Sequence, residues 1–252
     1  MPKRPFTFDQ VVNGSKSLKD NGWQAKEMKE VYQFTHAISP WVSVLNSWYG
    51  DIKSMEHLSN PDDPPDIMIQ CEKCVVGFEI TEMTPQGIGK FNNSTIKKID
   101  PTVCTVVPNL STASLDDDKE MIKYATQYSD KAWANIDDEI DKWSDVALDA
   151  FSKKVAISKK KPSVNFIVLW DSHGLTDTEL LGVAKKMDIH IQKKKNPIPK
   201  LIIHSPTNNL KYLSFLICLG QAPLRKTTSP IPINSLNGTF LEMIDACLRP
   251  VK

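Results

Sequence analysis

The sequence lacks several features that would place it in a familiar class at once. No run of eighteen apolar residues occurs, so no membrane-spanning helix and no membrane partner are predicted. The first residues have no apolar core of the signal-peptide type, and the five cysteines are irregularly spaced, which argues against a disulfide framework. We therefore expect a soluble protein of a reducing, cytoplasmic compartment.

Signatures of several enzyme classes are absent as well. No Gly-rich phosphate loop is present, and the histidines show no His-Glu-x-x-His spacing. Asp171 and His173 follow an apolar stretch, but no Gly-x-Ser-x-Gly motif accompanies them, which favours a turn over a hydrolase pair. Cys71 and Cys74 have no second Cys-x-x-Cys to complete a zinc site, which favours a structural role.

The chain does contain an ordinary globular composition with an uneven distribution of charge. Its 252 residues, 40% of them hydrophobic, are enough for a sizeable core. Residues 1–150 hold 15 Lys and Arg against 24 Asp and Glu (−9), whereas residues 151–252 hold 16 against 6 (+10). The basic half is consistent with contacts to nucleic-acid phosphates or with a lysine-rich solvated face.

The most informative stretch is residues 65–82, which we expect to form two strands joined by a tight polar turn. The first segment alternates apolar and polar side chains, and the second is almost continuously apolar. Asp66 opens the first strand, either as a turn-capping acid or as a site residue, and Glu79 lies inside the second. A buried carboxylate is costly unless a cation neutralises it, so we expect a metal ion, a lysine or an arginine beside Glu79.

The residues before this hairpin predict helices. An irregular lead-in covers residues 1–23, and apolar side chains recur at helical spacing over residues 24–39 and from 41 to about 58. The proline-rich residues 60–65 then force an extended entry into the first strand. Glu56 would lie near the end of the second helix, either on a solvated face or as an additional acid beside the hairpin.

The strongest helical signal in the chain runs from Ala134 to Ile157. At about 100° per residue, its apolar side chains form one stripe. Lys154 falls at the centre of this stripe, whereas Lys153 points away from it. Lys154 either favours the helix macrodipole near the C-terminus while its stem reaches water, or contacts the strand carboxylates.

The remaining pattern predicts strands that alternate with helices. Strands are expected at residues 102–107, 164–170, 201–204 and 212–219, and helices at 119–132, 176–187 and 240–248. We therefore predict an α/β protein with a central mixed sheet flanked by helices. The expected divisions are an N-terminal helical lead-in (1–40), a core domain (41–220) and a proline-rich C-terminal segment with a short helix (221–252).

The order of these elements and the placement of the acids resemble the PD-(D/E)XK nucleases, the restriction-endonuclease-like superfamily. The resemblance rests on a Pro-Asp pair ending at Asp66 and on Glu79-Ile80-Thr81 at the end of the hairpin, and its element order covers about residues 40–205. It implies a restriction-endonuclease-like core in which Asp66 and Glu79, with the carbonyl of Ile80, bind Mg²⁺ or Mn²⁺. Thr81 stands where the family usually has lysine.

The resemblance also implies how the missing lysine is replaced. Some relatives draw it from the helix after the core strands, which makes Lys154 the expected third catalytic residue. Thr81 shares the face of Glu79 and would bind a metal-bound water, and Glu82 would join that face only if the strand bulges or ends there. Glu56 would correspond to the acid that some relatives carry on their first helix.

A metal-dependent endonuclease acting on DNA is the function that the resemblance implies, and nucleases of this fold often form homodimers. The lysine-rich segments would contact phosphates; they comprise Lys159, Lys160, Lys161, Lys193, Lys194 and Lys195. The alternative is a non-catalytic protein of the same fold that binds nucleic acid or a protein partner. Thr81 in the place of the lysine is its main support.

Overall fold

The computed structural model describes residues 3–12, 18, 22–58, 65–84, 136–161, 163–171, 175–207 and 211–230. These residues form an α/β fold in which one eight-stranded mixed sheet carries helices on both faces. The strands are β1 (Lys3–Phe6), β2 (Ile52–Leu58), β3 (Ile67–Cys71), β4 (Val75–Glu82), β5 (Val164–Trp170), β6 (Lys200–Thr207), β7 (Lys211–Cys218) and β8 (Gln221–Pro230). The helices are α1 (Phe8–Val12), α2 (Ala25–Ile38), α3 (Val42–Tyr49), α4 (Ile136–Ser158) and α5 (Asp177–Gln192), with a 3-10 turn at Ser39–Trp41.

Strand order in the sheet follows chain order from β1 to β8. The pairs β4–β5 and β5–β6 are parallel, and the other neighbouring pairs are antiparallel. Parallel neighbours need a crossover, and α4 and α5 lie in the two connections concerned. The mixed sheet flanked by helices that the sequence predicts is therefore confirmed.

Alternation along the central strands separates two hydrophobic layers. Phe78 of β4 and Phe166 of β5 pack on the side of α2, where their rings stack 4.8 Å apart between centres. Ile167 of β5 packs on the opposite side with α4 and α5. Because side chains alternate with a period of two, Glu79 points to the α4 side of β4 and Glu82 to the α2 side.

The two helices after the hairpin confirm the predicted elements, although α5 ends at Gln192, five residues beyond the predicted end. The apolar stripe of α4 is buried at Trp143, Ala147 and Phe151. The first turn of α5 is closed by Thr176, whose hydroxyl accepts from the Glu179 amide at 3.3 Å while the Glu179 carboxylate accepts from the Thr176 amide at 2.7 Å. Among the helices of the described residues, none is long and apolar enough to cross a bilayer.

The expectation of one helix from 41 to about 58 is wrong in its second half. Helix α3 ends at Tyr49, and Gly50 adopts a φ of 78°, a conformation that favours glycine and breaks the helix. Strand β2 then begins at Ile52 and pairs with β3. Glu56 therefore lies opposite Met68 within the sheet, not near a helix end.

The sheet extends further along the chain than the sequence predicts. β1 lies in the lead-in that we expected to be irregular, and it pairs with β2. β8 lies in the proline-rich segment and pairs with β7, so that segment adds an edge strand. The strand expected at 102–107 and the helices expected at 119–132 and 240–248 lie outside the described residues.

A cluster of aromatic rings and two histidines fills the space between α2 and the sheet. Tyr212 of β7 lies 4.9 Å from the ring centre of His36 and 4.8 Å from that of His204, and its hydroxyl is 2.9 Å from that of Tyr32. Burial lowers the pKa of His36 to about 4 and that of His204 well below its usual value. Both imidazoles are therefore neutral near pH 7.

Candidate active site

Asp66 and Glu79 lie side by side at the β3–β4 hairpin. Ile67 is paired with Phe78 in the antiparallel ladder, so the preceding residue, Asp66, lies opposite Glu79. The Ile80 amide donates to Asp66 Oδ2 at 2.7 Å. This hydrogen bond holds the Asp66 carboxyl against β4, next to Glu79.

Lys154 reaches the same point from the helix layer. Its Nζ lies 2.5 Å from Glu79 Oε1, and the Glu79 side chain is only 6% exposed. The neighbouring Lys153 is exposed and pairs instead with Asp149, four residues earlier on α4. Of the two explanations for a lysine on the inward stripe, contact with a strand carboxylate is therefore the one that the geometry supports.

The second oxygen of Glu79 is the unusual feature of this arrangement. Glu79 Oε2 is buried and accepts no hydrogen bond from any residue in the described part of the chain. Leaving a buried acceptor without a donor costs about 1–3 kcal/mol, more for a charged group. Such an oxygen is suited to bind a hard cation or an ordered water.

The Asp66 carboxyl is electrostatically strained by its neighbours. Burial raises its pKa to about 7, and the negative charges of Glu79 and Glu30 act in the same direction. The Ile80 amide and the Lys154 ammonium oppose the rise without cancelling it. A carboxyl that keeps its proton to neutral pH beside a second carboxylate also favours a divalent cation, which can replace that proton.

Glu30, on α2, adds a negative charge that acts on Asp66, which the sequence did not suggest. Its Oε2 lies 2.8 Å from His57 Nε2, and its Oε1 lies 3.5 Å from Lys26 Nζ. Burial raises the pKa of Glu30, but the hydrogen bond with His57 and the charge of Lys26 outweigh it and leave the pKa lowered. Glu30 thus acts on the Asp66 carboxyl through its charge, while its own hydrogen bond is with His57 on the α2 side of the sheet.

Thr81 and Glu82 follow Glu79 on β4 and separate to opposite faces. The β4–β5 register is regular from Phe78 to Glu82, so no bulge brings Glu82 beside Glu79. Glu82 Oε1 instead accepts from Gln33 Nε2 and contacts Lys29 Nζ, both at 2.7 Å and both on α2. The structure therefore places Thr81 on the face of Glu79 and Glu82 away from it.

The lysine-rich segments lie at one end of the central strands of the sheet. Residues 159–161 follow α4 and precede β5, and residues 193–195 follow α5 and precede β6, so both segments lie where the two parallel strands begin. All six lysines are exposed. The first segment begins five residues after Lys154 and follows the end of the helix that carries this lysine.

The donor set matches a hard cation better than a transition metal. Within the described ranges, no group of three or more His, Cys, Asp and Glu side chains is arranged to hold a metal ion. Magnesium is commonly held by one or two carboxylates, with water and phosphate oxygens completing its shell. The Asp66–Glu79 pair, with one buried oxygen of Glu79 unsatisfied by the described residues, fits that smaller donor set.

Comparison of the chain with protein-family models, with curated proteins and with solved structures gave no significant match.

Proposed function

We propose that the protein is a metal-dependent endodeoxyribonuclease with a restriction-endonuclease-like core of the PD-(D/E)XK type. The observation that carries this proposal is the meeting of three side chains from three elements. Asp66 precedes β3, Glu79 lies on β4, and Lys154 comes from α4 to lie 2.5 Å from Glu79. An ammonium is thus present beside the two acids although Thr81 holds the usual lysine position.

The arrangement of elements supports the same proposal. An antiparallel β2–β3–β4 unit is followed by α4 and then by β5, which lies parallel to β4, and α5 leads to a second parallel strand, β6. The resemblance implies the order helix, hairpin, strand, helix and strand, to which α3, the β3–β4 hairpin, β5, α5 and β6 correspond, with α4 as an additional helix between the hairpin and β5. The sheet also places both acids near its centre, where rigid strands position them.

Asp66 and Glu79 would hold Mg²⁺ or Mn²⁺, with the Ile80 carbonyl as a further oxygen donor. When bound, such an ion would supply Lewis acidity for the attacking water and the phosphate. The unsatisfied Glu79 Oε2 and the raised pKa of Asp66 are the two features of this chain that favour a cation there. Nothing in this donor set requires a third carboxylate.

The roles of the remaining side chains follow from their charge and position. Lys154 is partly exposed and held against Glu79. Its positive charge would stabilise the negative charge that increases on a scissile phosphate during hydrolysis. In the metal-free chain the Asp66 carboxyl, with a pKa of about 7, holds a proton that the ion would displace on binding. The six exposed lysines at residues 159–161 and 193–195 would neutralise flanking DNA phosphates.

The alternative is a non-catalytic protein of the same fold that binds nucleic acid or a protein partner. Its support is the direct contact between Lys154 and Glu79, since a buried carboxylate paired with one ammonium also serves as a purely structural ion pair. Thr81, which cannot replace an ammonium, points the same way. A homodimer, as in many nucleases that cut both strands, is part of the nuclease proposal and is measurable by sedimentation.

The proposal is tested by incubating plasmid and single-stranded DNA with the purified chain and Mg²⁺ or Mn²⁺. We expect cleavage by the wild type and by Lys153→Ala, and loss of cleavage in Glu79→Gln, in Lys154→Ala and in EDTA. Lys153→Ala is the matched control because it removes an exposed lysine beside Lys154 on the same helix. DNA retained in a gel-shift assay without cleavage would support the binding alternative, and cleavage surviving in Glu79→Gln would refute the assigned site.

A further inference from the structure

Two cations and two aromatic rings from distant parts of the chain meet on the α2 side of the sheet. We name this group the cationic aromatic surface: Trp48 and Tyr49 at the end of α3, Lys200 at the start of β6, and Arg225 on β8. Both aromatic side chains are partly exposed, and Arg225 is exposed. The group therefore borders solvent and is not part of the closed core.

The rings hold both cations in place. Lys200 Nζ lies 5.7 Å from the ring centre of Trp48 and 5.8 Å from that of Tyr49, and it donates to Tyr49 Oη at 3.0 Å. The Arg225 guanidinium carbon lies 5.5 Å from the ring centre of Trp48. Cations at these distances are attracted by the ring faces, which orders the side chains without neutralising their charge.

Among the described residues, no carboxylate is paired with the cations of this surface. In the described part of the chain, neither Lys200 nor Arg225 forms an ion pair with a carboxylate. Lys200 is the first residue of β6 and follows the loop that carries the exposed lysines at 193–195. Positive charge is therefore present along the approach to this end of β6. An anionic partner is the complement to such a surface.

Strand alternation separates Arg225 from the neighbouring lysine. Arg225 is paired with Leu216, which packs on the α2 side, whereas Lys226 is paired with Phe215, which packs on the α5 side. Both residues are exposed cations of the same strand. Lys226 is thus a natural control for Arg225, with the same charge but on the other face of the sheet.

We propose that the cationic aromatic surface binds single-stranded nucleic acid. Single strands are recognised by cationic grooves that follow the phosphates and by aromatic side chains on which unpaired bases stack. Trp48 and Tyr49, both partly exposed, supply the aromatic side chains, and Lys200 and Arg225, which lie over their rings, supply the charges. A duplex presents only phosphates to this surface because its base faces are covered by neighbouring pairs.

This inference rests on the proposed function and specifies the substrate class that the nuclease would receive. An acidic peptide or an anionic membrane would use the two cations but would gain little from the ordered rings beside them. If the partner is a peptide or a membrane, we expect the binding affinity to depend on Arg225 alone. If it is an unpaired strand, we expect the affinity to depend on both Trp48 and Arg225.

The test is equilibrium binding of a fluorescein-labelled oligothymidylate in EDTA, where metal-dependent cleavage is suppressed. Wild type is compared with Trp48→Ala, Trp48→Phe, Arg225→Ala and Lys226→Ala, each checked by circular dichroism. We expect about a tenfold loss of affinity in Trp48→Ala and in Arg225→Ala, a smaller loss in Trp48→Phe, and less than about a twofold change in Lys226→Ala. The salt dependence of log affinity should weaken by about one unit in Arg225→Ala.

The assignment of this surface would be overturned by equal affinity for a duplex of the same length, by affinity unchanged in both Arg225→Ala and Trp48→Phe, or by a loss in Lys226→Ala as large as in Arg225→Ala. Anionic vesicles and a polyglutamate peptide serve as competitors. If they displace the oligonucleotide and the Trp48 variants bind them as tightly as the wild type does, the assignment is also contradicted. A chain that binds the strand through Trp48 and Arg225 but cleaves nothing with Mg²⁺ or Mn²⁺ disproves the nuclease and keeps the surface. Cleavage of single strands that none of these variants changes would disprove the surface and keep the nuclease proposal.

Discussion

Lys154 Nζ and Glu79 Oε1 are 2.5 Å apart, although 75 residues separate them in the chain. A lysine near the end of a long helix thus faces a strand carboxylate that would otherwise be buried without a cation. The pair joins the helix layer to the sheet at the point where Asp66 also lies.

Removing this ammonium should reduce stability. Lys154→Ala leaves the Glu79 carboxylate buried and unpaired, and because Lys154 is partly exposed we expect a loss of about 2 kcal/mol in the free energy of unfolding. Urea denaturation measures it, with Lys153→Ala expected to change stability by less than about 0.5 kcal/mol. The double variant Lys154→Met/Glu79→Leu should recover most of the loss; a double variant as unstable as the single one would show that the pair is not the cause.

Asp66 should make the metal-free protein less stable as the pH rises. Its pKa is about 7 in the folded chain and 3.8 ordinarily, so the folded state binds the proton more tightly. The stabilising contribution of that proton is complete below about pH 4 and is lost as the pH rises through about 7. Asp66→Asn should therefore be more stable than wild type at pH 8, by about 1–3 kcal/mol, and nearly equal to it at pH 4.

Guanidinium titrations of both proteins at several pH values, in EDTA, decide this prediction. A wild-type protein whose stability relative to Asp66→Asn does not change between about pH 4 and pH 8 would contradict the raised pKa. The asparagine can still accept the hydrogen bond from the Ile80 amide, so the comparison isolates the charge.

Divalent cations should raise the thermal midpoint of the wild type, and more strongly as the pH increases. The ion competes with the proton that Asp66 holds up to about pH 7, so binding should tighten between pH 6 and pH 8. Thermal shift with Mg²⁺ or Mn²⁺ gives this without any activity assay. Glu79→Gln should lose the shift, and an equal shift in that variant would place the ion elsewhere.

The buried histidines should make the protein sensitive to acid. The pKa of His36 is lowered from 6.5 to about 4 by burial, so the folded state binds its proton less tightly than the unfolded chain. This contribution to stability is present above about pH 6.5 and is lost as the pH falls towards 4. His36→Phe keeps a ring between Tyr32 and Tyr212 and should flatten that decline.

The decline is measured by chemical denaturation between about pH 6.5 and pH 4.5, a window in which Asp66 acts in the opposite direction. The Asp66→Asn background removes that opposing contribution and should make the acid loss of the wild-type His36 steeper. If His36→Phe follows the same pH profile as its parent, the acid sensitivity has another origin.

The parts of the fold that the sequence predicts are those with strong local periodicity. The hairpin that carries Glu79, the helix that carries Lys154, and strand β5 all have apolar patterns that match one regular element. Their patterns also predict faces, which is why Lys154 could be placed on the inward stripe of α4 before its partner was known.

The parts that were missed depend on contacts between distant segments or on ambiguous spacing. Residues 52–58 fit helical spacing as well as strand alternation, and only Gly50 marks the break. The charge of Glu30 acts on Asp66 although α2 packs on the face of β4 opposite α4, and no local pattern reveals this. Trp48 and Arg225 meet although their positions in the chain differ by 177, and sequence spacing carries no sign of it.

The agreement between strand order and chain order has a consequence for how the molecule assembles. Each new strand can dock on the one made just before it, so most of the sheet requires only short-range closure. The connections from Phe6 to Ile52 and from Trp170 to Lys200 are longer, and the longest is the step from Glu82 to Val164 that precedes the pairing of β5 with β4. Lys154 is synthesised within that step. We therefore expect Asp66 and Glu79 to come together on the β3–β4 hairpin before Lys154 joins them.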